Sequence, residues 1–99
     1  MITIFGKTVY KALIEGRRLV SPVCSFEYEL GKVYKKKIYE PGYYSWADKE
    51  KAKKEVLEYN YTGTLRLGVY ECRIPWFSKW KEERPGEIVS EKIKIKRRI

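Results

Sequence analysis

Near the carboxyl end Lys92, Lys94, Lys96 and Arg98 occupy every second position, and Arg97 brings the cations in residues 92–98 to five. Lysine and arginine at this density attract phosphate, so the run could serve as a basic arm for nonspecific nucleic-acid binding. The chain's nine tyrosines would add rings on which unpaired bases can stack. A second constellation is Trp76, Phe77 and Trp80, between Pro75 and the Pro85-Gly86 pair, with Lys79 and Lys81 beside them. Wound as a helix, that segment would put the three rings on one side, as anchors for a protein partner, a second copy of the chain or a membrane interface. Folded back, the same rings would form a lid over a sheet.

Most other chemistry is excluded by residue type. The absence of histidine removes Ser-His-Asp and Cys-His arrangements together with the common imidazole base. Cys24 and Cys72 are too few to build a tetrahedral zinc site, so neither metal nor cofactor is expected. The two read as buried thiols, with a disulfide as the alternative. "GKT" at 6–8 lacks the preceding glycine and spacing of a phosphate loop. A metal nuclease would need acids at strand ends, whereas Asp48 reads as a helix cap and Glu91-Lys92-Ile93 has the wrong spacing. Asn60-Tyr61-Thr62 matches a glycosylation acceptor, and without a secretory signal it is set aside. An enzyme would need a cleft gathering Glu27, Glu29, Tyr44 or Cys24, and the expectation is a protein without catalytic activity.

The elements that must hold these residues follow from periodicity. Residues 2–5 and 8–14 alternate as strands about Gly6, a candidate hairpin turn. "LVSPV" reads as a connector because Pro22 cannot donate to a ladder. "FEYE" and "KVYKKKIY" read as two short strands ending at Pro41-Gly42. The one helix spans 48–59: Asp48 caps it, Ala52, Val56 and Tyr59 share a face, and Glu50 and Lys54 are spaced as an ion pair. "NYTG" ends it. Residues 64–74 alternate with apolar positions on both faces, as in a central strand. In the last strand, read over 87–99, Val89, Ile93, Ile95 and Ile99 share one face with Glu91 and Arg97, while Ser90, Lys92, Lys94, Lys96 and Arg98 share the other. Isoleucine at alternate sites serves a half-buried strand and is superfluous in a disordered arm, so the plainer reading of "EKIKIKRRI" is the wet side of a sheet.

The composition fits one soluble globular domain over residues 1–99. Hydrophobic residues supply 43% and charged residues 35%, too apolar for a disordered chain and too charged for a membrane one. No apolar run is long enough to span a bilayer, and no signal peptide is recognisable, so the protein is expected to stay inside the cell. With no Gln, one Asn, one Asp and abundant Lys and Glu, it carries the usage of heat-adapted proteins, whose surfaces are lysine-rich for stability. That gives the net charge of +9 an explanation besides binding.

"YKALIEGRRLVSP", "FEYELGKVY", "PGYYSWADKEKAKKE" and "EKIKI" resemble, in order, a small phage and bacterial domain of unknown function. That domain has a Gly-aromatic-His-Ala turn before its helix. Here Tyr44 stands at the histidine position, which puts any role of that histidine in doubt. As a whole the chain also resembles an uncharacterised family of 99-residue proteins from filamentous and rod-shaped viruses of hyperthermophilic archaea, of the lipothrixvirus and rudivirus type. This resemblance implies a very stable α+β domain in the host cytoplasm and transfers no site residues. The combined expectation is a mainly antiparallel sheet of about five strands with one amphipathic helix on it. The protein would act as a viral accessory factor that binds a protein partner or itself through Trp76, Phe77 and Trp80. The alternative is nucleic-acid binding through Lys92, Lys94, Lys96 and Arg98.

Overall fold

Leu67–Ile74 is apolar on both faces: Leu67 and Val69 on one, Tyr70, Cys72 and Ile74 on the other, all buried. Such a strand needs neighbours on both edges and cover on both sides. In the computed structural model, which describes residues 2–3, 6–59 and 66–99, it has them. The elements in chain order are β1 (Ile2–Thr3), β2 (Lys7–Ile14), β3 (Leu19–Val20), β4 (Glu27–Tyr28), β5 (Val33–Lys35), β6 (Tyr43–Trp46), α1 (Lys49–Tyr59), β7 (Leu67–Ile74), β8 (Ser78–Arg84), β9 (Glu87–Ser90) and β10 (Lys92–Arg98). The sheet order is β1-β8-β9-β6-β2-β7-β10-β5, with β3 attached to β2 and β4 to β3. Strands pair antiparallel throughout, and one isolated parallel bridge joins Leu30 to Ile95.

The α+β class, the mainly antiparallel sheet and the single helix among the described residues agree with expectation; the strand number does not. Among the described residues eight strands follow one another from β1 to β5, and β3 and β4 branch from β2, against the expected five or so. Part of the excess is in pieces of two to four residues, β3 and β6, too short to show an alternating pattern, whereas β4 falls in the expected "FEYE" strand. Tyr43–Trp46 is a strand where the family resemblance implies a turn. Leu19 and Val20 pair inside the supposed connector. Gly6 makes no hairpin, because β1 pairs with β8 and β2 with β7. Residues 4 and 5, like the 60–62 acceptor, Gly63 and Leu65, lie outside the described residues.

Register defines two faces. Val9↔Cys72↔Ile95 is one inward row. With Leu13, Tyr28, Tyr43, Tyr70, Ile74, Ile88 and Ile93 it forms the core. Burying each of Ile93 and Ile95 contributes about 2–3 kcal/mol. On the opposite face Ala12, Leu67 and Val69 are buried on the side where α1 packs against β2 and β7, with Ala52 fully covered. Asp48 caps α1 by accepting the Glu50 N–H at 2.9 Å. Val56 is only half-buried and Tyr59 is exposed, so Ala52 leads the contact. The expected Glu50–Lys54 spacing is replaced by Lys53–Glu50 at 3.3 Å.

The expected last strand divides at Glu91 into β9, which pairs with β6 and β8, and β10, which pairs with β5 and β7; within β10 the alternation then breaks. A register shift between Ile95 and Arg97 puts Arg97 opposite Glu71 and Arg98 opposite Tyr70, exchanging the faces expected of the two arginines. Ile99 consequently does not join Ile93 and Ile95 in the core; it is 48% exposed.

Candidate functional site

β10 pairs with β5 in the register Lys92↔Lys35 and Lys94↔Val33, and with β7 in the register Lys94↔Arg73. The basic runs at 35–37 and 92–98, far apart in sequence, therefore adjoin. Lys92 and Lys35 from the two runs stand directly opposite one another, an arrangement of like charges that destabilises a sheet unless something neutralises it, and Lys94 stands opposite Arg73 of β7. Helix α1 covers the Ala12–Val69 end of this face and leaves Lys35, Lys92, Lys94 and Arg73 beyond it.

The other cations of the run are differently placed. Arg97 pairs with Glu71 at 3.2 Å. Arg98 holds Glu15 through two bonds of 2.7 and 3.2 Å, and Arg66 stands 3.9 Å from the same carboxylate. Arg98 beside it holds the Glu15 carboxyl below the usual carboxylate range, against the opposing effect of burial, and Tyr70 donates to it at 2.7 Å. Gly68 makes room for this pair, since a Cβ there would lie 2.8 Å from both the Arg98 Nε and a Glu15 oxygen. Of the four cations expected to bind phosphate, Lys92 and Lys94 join the cross-strand row, Lys96 is exposed at the bulge, and Arg98 is committed to Glu15.

The aromatic segment is neither helix nor lid. Pro75, Trp76 and Phe77 form the turn from β7 into β8, with Trp76 58% and Phe77 66% exposed. Trp80 lies in β8, partly buried on the core, with the Lys7 ammonium 4.8 Å from its ring centroid. The three rings therefore do not share a face. Phe77 has φ +58°, a left-handed conformation costly for an aromatic residue. From Lys94↔Arg73 the antiparallel register sets Lys92 level with Pro75, so the exposed rings emerge at the same end of the sheet as the cation row.

A cavity of about 560 Å³ opens at the edge of β2. Among the described residues β6 meets that edge at Tyr10↔Trp46 and β3 meets it at Ile14↔Val20, leaving a gap between them. Tyr44 and Cys24, two of the residues an enzymatic cleft would gather, line it. Glu27 instead pairs with Arg18 at 2.8 Å, and Glu29 lies outside the cavity. Lys11, which sequence reasoning missed, is 8% exposed on its wall; burial pushes the amine below the ordinary lysine range. The available signal was parity, because Lys11 shares a face with Val9 and Leu13. Glu55 lines the same cavity, accepts the Trp46 indole N–H at 3.1 Å, and is shifted upward by burial.

The cysteines are both free: Cys24 is exposed, contrary to expectation, and Cys72 is buried, its thiol pushed up to about 12 by burial. No group of acids and cysteines among the described residues could hold a metal ion, and no described helix is long and apolar enough to cross a membrane. No family model, curated protein or solved structure matches the chain.

Proposed function

We propose that the protein binds single-stranded nucleic acid without catalysis, through the end of the sheet where Lys35, Lys92, Lys94 and Arg73 meet the Trp76–Phe77 turn. The observation that carries this reading is the cross-strand apposition of Lys92 with Lys35, with Lys94 next along the same face. Phosphates relieve the repulsion between Lys92 and Lys35, while the exposed rings give bases a surface to stack on, and neither interaction requires a particular base. The site is the first half of the basic run, Lys92 and Lys94, joined by Lys35, and not the whole row of Lys92, Lys94, Lys96 and Arg98. The heat-adapted composition and the resemblance to archaeal virus proteins support an accessory role in the host cytoplasm.

Anisotropy of a labelled single-stranded oligonucleotide, titrated at several salt concentrations, tests the reading. Binding should weaken with a log–log slope of about 0.7 per phosphate neutralised. Combined Lys35→Gln, Lys92→Gln and Lys94→Gln substitution should flatten that slope. Undetectable binding at low salt, or a slope the triple variant leaves unchanged, would overturn it.

A second reading is supported by Phe77, whose exposed ring is held in a disfavoured backbone conformation. Strain retained at an exposed aromatic tip suits docking into a protein pocket. The cations around the tip favour an acidic partner over a second copy of this +9 chain.

A further inference from the structure

The cavity at the edge of β2 is independent of the nucleic-acid reading, and its chemistry differs. Its wall carries a lysine, Lys11, with 8% exposure, whose Nζ donates to the Tyr44 carbonyl and lies 5.4 Å from the Tyr28 ring centroid. Around it stand Phe26, Tyr43 and Trp46, large flat groups suited to an aromatic ligand. Ser45 lines the same space, and its buried hydroxyl has no hydrogen-bond partner among the described residues. A buried hydroxyl without a partner is costly, and a polar ligand atom that reached it would offset that cost.

Acidic residues decide the ligand's charge. Glu40, Glu55, Glu83 and Glu87 line the cavity against Lys11 and Arg84, which disfavours an anion. A neutral molecule with a carbonyl on an aromatic body fits the remaining requirements.

We propose that the cavity is a site for small aromatic aldehydes, held by the rings and captured by Lys11 as a reversible imine. The Lys11 nitrogen attacks the carbonyl carbon through its lone pair. The carbon–oxygen bond then breaks, and the oxygen leaves as water with the two hydrogens of the amine. Glu55, in the same cavity, is placed to protonate the departing hydroxyl and recover the proton afterwards. Burial lowers the Lys11 pKa, so a larger fraction of this amine is neutral and nucleophilic than in the solvated lysines of the surface.

The test uses the intact protein with benzaldehyde and sodium cyanoborohydride at pH 7. Hydride adds to the imine carbon and a solvent proton to nitrogen, leaving a stable benzyl amine that peptide mass spectrometry can place among the fifteen lysines. Lys11 should be modified at least tenfold faster than the average of the others, and Glu55→Gln should slow its trapping severalfold. Formaldehyde, which has no ring to bind, should discriminate far less. Absence of label on Lys11, or a rate no greater than that of the surface lysines, would overturn the proposal. Equal selectivity for both aldehydes would overturn its aromatic ligand class.

Discussion

Arg98 grips Glu15 in a two-bond fork, Nε to Oε2 at 2.7 Å and Nη2 to Oε1 at 3.2 Å, and so ties the last strand to the end of β2 across Gly68. Bidentate pairing of this kind is geometrically specific. Because Glu15 is mostly buried and Arg98 half exposed, its strength lies between those of surface and interior pairs.

Arg98→Met should therefore lower the Tm of the fold near neutral pH. The Glu15 carboxyl is depressed in the folded state, so its contribution is complete above its ordinary value of 4.5 and disappears as pH falls through the folded value. Thermal melts of wild type and variant from pH 7 to pH 2 should converge at the acid end. A gap of constant size would contradict the assignment.

Salt titration should separate two cations of the same strand. Lys94 faces Arg73 across the ladder, so Lys94→Gln should reduce the salt slope of oligonucleotide binding. Arg98, neutralised by Glu15, should leave the slope unchanged when replaced by Gln. An equal loss from both would return the site to the whole basic run.

Phe77→Gly should separate stability from binding. Glycine accepts φ +58° without the Cβ clash, so Tm should rise by an amount equivalent to about 1 kcal/mol. Losing the exposed ring should weaken oligonucleotide binding several-fold. Unchanged binding would remove Phe77 from the site.

Lys11→Met should stabilise the fold near neutral pH by about 1 kcal/mol or more, since a similarly long apolar chain replaces a buried amine. Its pKa is lowered in the folded protein by burial, against the opposing influence of Cys72, Glu55 and Cys24. Below the ordinary value of 10.5 the unfolded chain binds a proton that the folded site disfavours, so wild-type stability rises with pH through that window. The advantage of the variant should accordingly shrink as pH approaches 10.5. Denaturant midpoints measured from pH 7 to 10.5 would show it, and a growing advantage would count against the burial argument.

The legible parts of the fold were the long ones. β7 and α1 were visible because eight or more residues repeat one period, and Asp48 marks the helix start by its own chemistry. β10 was visible as far as Ile95; the bulge that follows leaves no mark in the sequence. Tyr43–Trp46 and Leu19–Val20 were illegible because neighbouring strands, and no local period, hold them in place. The apposition of Lys35 with Lys92 depends on long-range register, and sequence could place only the two runs. Trp80 was grouped with Trp76 by spacing, although the strand conformation sends it toward the core.

The extra backbone unit between Ile95 and Arg97 inverts odd and even positions for the remainder of the strand. That inversion lets Arg97 meet Glu71 and Arg98 meet Glu15 while the isoleucines before it remain inside. The identity of Lys96 is consequently far freer than its presence. A one-residue deletion there would turn both arginines away from their acids together, whereas many side chains could occupy the site without disturbing either.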